Sequence, residues 1–155
     1  MNDVVNSRLG NQVAWISGGA SGIGEATARL FAREGIRVAI VDVNLEGAQK
    51  LADQINSGSG AQAMAIECDV GREGEVSRAI DETVERFNGL HIVVNNAAIG
   101  QFSPLHECLE EEWDRVMAVN VKSAFYSFKF AYPYLRRLNR SYIVNVASIS
   151  SFVGQ

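Results

Sequence analysis

Apolar positions along the chain switch repeatedly between continuous short runs and helical spacing. Val13-Ala14-Trp15-Ile16 is a strand-like run. After it Ile23, Ala26, Thr27, Leu30 and Phe31 recur at helical intervals, and Gly35 follows as the C′ residue of that helix. Ile36-Arg37-Val38-Ala39-Ile40-Val41 then reads as a buried strand that ends at Asp42. Asn44 is positioned to cap a helix carrying Leu45, Ala48, Leu51, Ala52 and Ile55, and Ser57-Gly58-Ser59-Gly60 is a turn too short to separate two cores. A third run, Ala63 to Cys68, ends at Asp69, before a helix marked by Val76, Ala79, Ile80, Val84 and Phe87 and closed by Asn88-Gly89. Leu90 to Asn95 is the fourth strand and Tyr142 to Val146 the fifth. Between them the spacing predicts one long helical region from about Glu110 to Leu138, bent where Pro133 removes a backbone donor.

Buried strands joined by helical crossovers demand a parallel sheet with helices on both faces, a doubly wound α/β architecture in three layers. In such sheets a ligand sits at the carboxyl ends of the strands, where the winding direction switches. No internal repeat or low-complexity segment interrupts the pattern. A chain of 155 residues with 47% apolar and 21% charged residues reads as one globular domain with a real core.

Charge and cysteine content narrow the function classes. A net charge of −4 gives no basic face for nucleic acid, and Arg136-Arg137-x-x-Arg140 reads as a solvated helix end. The N-terminal residues carry no basic segment followed by an apolar one, and no apolar run reaches membrane-spanning length, so a cytoplasmic protein is expected. Cys68 and Cys108 belong to no metal or redox spacing and are expected to be reduced, largely buried thiols, with no metal site.

The chemistry collects at the strand ends. Ser17-Gly18-Gly19-Ala20-Ser21-Gly22-Ile23-Gly24 places four glycines in eight positions between a strand and a helix. Such a turn lets a pyrophosphate approach main-chain N–H groups at the positive end of a helix dipole. The spacing is Gly18-x-x-x-Gly22-x-Gly24, not the commoner Gly-x-Gly-x-x-Gly. Asp42, 18 residues after Gly24, can accept hydrogen bonds from both hydroxyls of an adenosine ribose and repels a 2′-phosphate. Its alternative role is turn chemistry ahead of the next helix.

With these residues in place, the chain resembles the N-terminal part of a short-chain dehydrogenase/reductase from about Gly10 onward. That family's turn is Thr-Gly-x-x-x-Gly-x-Gly, and here Ser17 replaces the threonine by another hydroxyl. The resemblance implies a Rossmann-type sheet with strand order 3-2-1-4-5 and makes residues 1–155 a single NAD-binding domain, incomplete relative to the family. It assigns Ser17, Gly18, Ser21, Gly22, Ile23 and Gly24 to the cofactor phosphates. Asp69 would accept from the adenine amino group beside Val70. Asn95-Asn96-Ala97-Ala98 is similar to the family's Asn-Asn-Ala-Gly, with Ala98 in the glycine's place, so Asn96, Ala97 and Ala98 border the cofactor. Asn120 matches the asparagine whose backbone carbonyl holds a water of the proton relay; otherwise it is an ordinary helix asparagine. Ser148 matches the serine that hydrogen-bonds the substrate oxygen; without that context it would be a turn or capping serine. Family members that use NADP carry Arg or Lys where Ser21 and Val43 stand, so NAD is the expected cofactor and a small-molecule alcohol or ketone the expected substrate.

The family's Tyr-x-x-x-Lys pair is absent from these 155 residues: Tyr126 is followed four positions later by Phe130 and Tyr132 by Arg136. Neither His91 nor His106 has a partner that would make it a base. By itself the chain is therefore expected to bind NAD without turnover. The long helix Val119–Leu138, with Phe125, Phe128, Phe130 and Tyr134, is the expected surface for self-association. The alternative reading is a non-catalytic NAD-binding or dimer-partner fragment.

Overall fold

The computed structural model describes residues 9–58, 60, 62–100 and 103–149. Strand β1 (Val13–Ser17) leads through the glycine turn to α1 (Gly22–Arg33), and β2 (Arg37–Asp42) leads to α2 (Leu45–Asn56). Then come β3 (Ala63–Glu67), α3 (Glu73–Phe87) and β4 (Ile92–Asn95). A 3₁₀ turn (Leu105–Glu107) precedes α4 (Glu110–Met117), a π turn (Ala118–Lys122), α5 (Ser123–Leu135) and β5 (Tyr142–Asn145).

All five strands are parallel, in the order β3-β2-β1-β4-β5. Successive connections run outward from β1 through β2 to β3, then return to the other side of β1 at β4. The carboxyl ends of β1 and β4 therefore diverge into a crevice, as expected at a topological switch point. Alternation along each strand splits the core in two. Trp15, Val41, Ile66 and Val93 pack with Val76 and Ile80 of α3 and Leu135 of α5. Ile16, Val38, Ile40 and Val94 face α1 and α2, meeting Ala28, Leu51 and Ile55. Each such aliphatic side chain removed from water contributes ~1.5–3 kcal/mol, which offsets chain entropy.

The helix boundaries follow local chemistry. Asn44 Oδ1 accepts the Gly47 N–H at 3.0 Å, the cap expected of it. Asn88 ends α3 with φ 54° and Gly35 follows α1 with φ 79°, both left-handed.

The structure refines or corrects several expectations. The long helical region runs from Glu110 to Leu135 through a π turn at 118–122, and Pro133 lies inside α5 two residues before its end. The fifth strand lies at the sheet edge with Tyr142, Val144 and Val146 exposed, and among the described residues only β4 pairs with it. The aromatic residues of α5 do not share one face. Phe125 and Phe128 are 60% and 48% exposed, whereas Phe130 and Tyr134 lie against the core on the α3 side. Cys108 is likewise only half-buried, while Cys68 is buried. No helix among the described residues is long and apolar enough to cross a membrane.

Candidate functional site

The glycine turn is tied to the end of β4 by one buried hydroxyl. Ser17 Oγ accepts the N–H groups of Asn96 (3.0 Å) and Ala97 (3.1 Å) and donates to the Val94 carbonyl (3.4 Å). Asn96 reciprocates, its Nδ2 donating to the carbonyls of Ser17 (3.1 Å) and Gly18 (3.0 Å). Two conformational demands explain the glycines. Gly18 has φ +61°, and a Cβ there would lie 2.8 Å from Ala97 Cα; a Cβ on Gly24 would overlap the Gly18 carbonyl oxygen. Gly22, at φ +54°, has nothing within 4 Å of its would-be Cβ, which therefore points into open space.

That open space is a cleft of about 370 Å³ at the carboxyl ends of the strands. Gly18, Ser21, Gly22, Ile23, Asp42, Asp69, Val70, Asn96, Ala97 and Ala98 all line it. Ser17 and Gly24 do not: they lie beneath the turn and set its shape. Ser21 occupies the N-cap of α1 in extended conformation but makes no side-chain cap bond, so its hydroxyl does not compete for the N–H groups at the helix start.

Asp42 shows that the turn role and a ligand role coexist. One carboxylate oxygen accepts Ala20 N–H (3.0 Å) and the other Asn44 N–H (3.0 Å). A carboxylate offers about four lone-pair sites, so acceptor capacity remains on both oxygens toward the cleft. Asp69 is more heavily engaged. Arg115 Nη1 donates to both of its oxygens (3.0 and 2.9 Å), Gly71 N–H donates at 3.0 Å, and Arg72 Nε approaches to 3.3 Å. Burial pushes its carboxyl up, but the Arg115 hydrogen bond and the Gly71 N–H outweigh this and hold it below the usual carboxylate value. Beside it, burial and then the Glu75 charge push the Cys68 thiol up to about 12, so it is an apolar wall rather than a nucleophile.

Asn120 sits in the π turn and pairs with Ile99 as a strand would. Its Oδ1 accepts Ile99 N–H and its Nδ2 donates to the Ile99 carbonyl, both at 2.9 Å. This bridge fastens the helical region to the loop after β4, and a π turn widens the helix where its carbonyls depart from the i→i−4 ladder. Ser148 follows β5 on the same end of the sheet and is exposed. The strand that presents it is registered to β4 by a hydrogen-bonded chain that runs from the core to the surface: buried Ser127 Oγ donates to Asn95 Oδ1 (2.7 Å), and Asn95 Nδ2 donates to Oδ1 of exposed Asn145 (2.8 Å). Ser127 and Asn145 carried no motif; only the pairing of Asn95 with Asn145 across β4–β5 exposes their role. Arg115, Val43, Ile99 and Val119 also line the cleft. Arg115 follows three glutamates on α4, so in sequence it reads as a solvated counter-charge.

These groups fit a dinucleotide: open N–H groups at a helix start for phosphates, a carboxylate with spare lone pairs for a ribose, and a half-apolar recess around Val43, Val70 and Ile99 for a base. Among the described residues no group of three or more His, Cys, Asp or Glu is placed to hold a metal ion.

Residues 12–155 match the short chain dehydrogenase family. Cyclohexanol dehydrogenase of Acinetobacter sp. (strain SE19) is 36% identical over 155 residues, covering 99% of this chain and 61% of that protein. Momilactone A synthase of Oryza sativa subsp. japonica is 37% identical over 94% of this chain and 53% of its own length. D-threitol dehydrogenase of Mycolicibacterium smegmatis is 35% identical, over 94% of this chain and 56% of its own. The chain thus spans about 60% or less of the length of these relatives. On the match that runs from residue 12 to 155, this chain belongs to the short chain dehydrogenase family.

Proposed function

We propose that this chain binds NAD(H) in preference to NADP(H) and forms the cofactor-binding part of an oxidoreductase that interconverts an alcohol and a ketone. The bound nicotinamide supplies or accepts the hydride. The first turn of α1 and the backbone of Gly18 to Ile23 receive the pyrophosphate, Asp42 the adenosine ribose, and the recess beside Asp69 and Val70 the adenine. Asn96, Ala97 and Ala98 carry the cofactor toward β5, where Ser148 donates to the substrate oxygen. The backbone carbonyl of Asn120 is assigned to hold a relay water. The names of the relatives, which include dehydrogenases for a cyclic alcohol and for a tetritol, support the reaction class.

The observation that carries the cofactor choice is the charge around Asp42. Its neighbours on the cleft wall are Val43 and Ser21, and the cation on that wall, Arg115, is paired to Asp69. A 2′-phosphate placed there would meet a carboxylate with no compensating charge, a like-charge cost of several kcal/mol. Calorimetric titration of the chain with NAD and with NADP tests this. NAD is expected to bind at least ~10-fold more tightly, a difference of ~1.4 kcal/mol. Equal or tighter binding of NADP overturns the assignment. No Tyr-x-x-x-Lys occurs in these 155 residues. An unperturbed phenol titrates near ~10, so the proton step needs a group these residues do not supply. By themselves they are expected to bind NADH without reducing a panel of ketones, and turnover by them alone would refute that part of the proposal.

A further inference from the structure

β3 is the outer strand on the side of the sheet away from β5, and among the described residues no strand lies beyond it. Its hydrogen-bonding parity is fixed at both ends. Val38 N–H donates to the Gln62 carbonyl (2.9 Å) and Cys68 N–H to the Asp42 carbonyl (3.0 Å). Gln62, Met64, Ile66 and Cys68 therefore turn their backbone groups toward β2, and Ala63, Ala65 and Glu67 turn theirs outward. A row of outward N–H and C=O groups is a template on which another strand can pair.

Side chains from the helices on the two faces of the sheet reach around to the ends of that row. Asn56, the last residue of α2, accepts Ala63 N–H on Oδ1 (2.7 Å) and donates from Nδ2 to the Ala63 carbonyl (2.9 Å). A carboxamide carries a donor beside an acceptor, as a peptide group does, so Asn56 fills the place of a neighbouring strand residue. Arg78 of α3 donates from Nη2 to the Glu67 carbonyl (2.6 Å), and its Nη1 is held by Glu82 (2.6 Å). Among the described residues the open remainder of the row is the N–H and C=O of Ala65 and the N–H of Glu67.

We propose that Asn56 and Arg78 hold the β3 edge closed, and that without them β3 pairs antiparallel with β3 of a second copy of this chain. A two-fold axis at Ala65 sets each Ala65 against its counterpart and each Ala63 against a Glu67. Glu67 then faces an alanine, so no like charges meet across the pair. The central Ala65 pair uses open groups. Both outer pairs need the Ala63 N–H and C=O and the Glu67 carbonyl, the groups that Asn56 and Arg78 already occupy. The two side chains thus leave a second copy one central pair, too little to extend the sheet.

The test follows amide hydrogen exchange by NMR in the native chain and in the double variant Asn56→Ala/Arg78→Ala, each in dilute and in concentrated solution. In the native chain the Ala65 amide should exchange fast at every concentration, while the Ala63 amide, held by Asn56, exchanges at least ~10-fold more slowly than in Asn56→Ala. In the double variant the Ala65 and Glu67 amides should slow at least ~10-fold as concentration rises, with Met64 and Ile66 protected throughout by β2. Association through any other surface leaves Ala65 fast. A folded double variant whose Ala65 amide stays fast in concentrated solution therefore overturns the proposal. Two results on the native chain, which need no double variant to fold, also overturn it: an unprotected Ala63 amide, or Ala65 protection that grows with concentration and so marks an edge already paired. If the double variant loses Met64 and Ile66 protection, Asn56→Ala and Arg78→Ala singly, each freeing one end of the row, decide by the same reading of Ala65.

Discussion

Replacing Ser17 by alanine removes one oxygen and orphans two backbone donors. Ser17 Oγ is the acceptor for Asn96 N–H and Ala97 N–H, and Ser17 is 2% exposed. A buried donor left without a partner costs ~1–3 kcal/mol. Two part-buried donors therefore total ~2–6 kcal/mol if no water reaches them. Asn96 and Ala97 border the cleft, and solvent entering there relieves part of the penalty, which places Ser17→Ala at about 3 kcal/mol. At ~2–4 °C per kcal/mol for a domain of this size, the melting temperature falls by about 6–12 °C. Thermal unfolding followed by circular dichroism measures this. NAD affinity should fall with it, because Asn96 and Ala97 would leave the position that Ser17 gives them. Ser17→Thr keeps the oxygen and should retain most of the stability. A Ser17→Ala chain that melts within 2 °C of the native one, or a threonine variant as unstable as the alanine one, would falsify the view that this hydroxyl holds the turn to β4.

Gly24→Ala should cost about 2 kcal/mol net: the new Cβ overlaps the Gly18 carbonyl and displaces Asn96 Nδ2, against a gain of ~1 kcal/mol in helix propensity. A neutral or stabilising result, read from urea midpoints, would show that the turn relaxes around it. Burial, and next the positive charge of Arg37, lower the His91 pKa from its ordinary 6.5, consistent with a neutral ring whose Nδ1 accepts the Val13 N–H at 3.2 Å. The unfolded chain then binds the proton more readily, so this stabilisation is complete above pH 6.5 and is lost as pH falls from there through the folded value. His91→Gln should flatten that part of the stability curve, and an unchanged slope would remove His91 as its source. With its thiol raised to about 12 and buried, Cys68 should resist a disulfide reagent at neutral pH until the chain unfolds, while half-buried Cys108 reacts first; equal rates for the two thiols would contradict the burial.

The parts of the structure that were legible are those governed by local periodicity and strand-end position. The apolar runs became β1 to β4 within one or two residues, and Asn44, Asn88 and Gly35 end or begin helices by short-range chemistry that a single window contains. The cleft was legible for a related reason: in a parallel sheet every strand delivers its last residue to the same end, so Asp42, Asp69 and Asn96 converge without any knowledge of the loops. What escaped depends on pairs far apart in the chain. Periodicity runs unbroken through 110–135 and does not mark the π turn at 118–122, where the Asn120 side chain bonds the backbone of Ile99. Ser127 and Asn145 look like filler until β4 and β5 are placed side by side with Asn95 between them. Arg115 is the sharpest case. Four acidic residues of α4 (Glu110, Glu111, Glu112 and Asp114) precede it, and its partner lies 46 positions earlier just after β3, so its sign and spacing point to solvent. A polar side chain that faces a ligand cleft from a helix is distinguished from one that faces water only by what the next strand end presents to it, and here that is a carboxylate already held by Gly71.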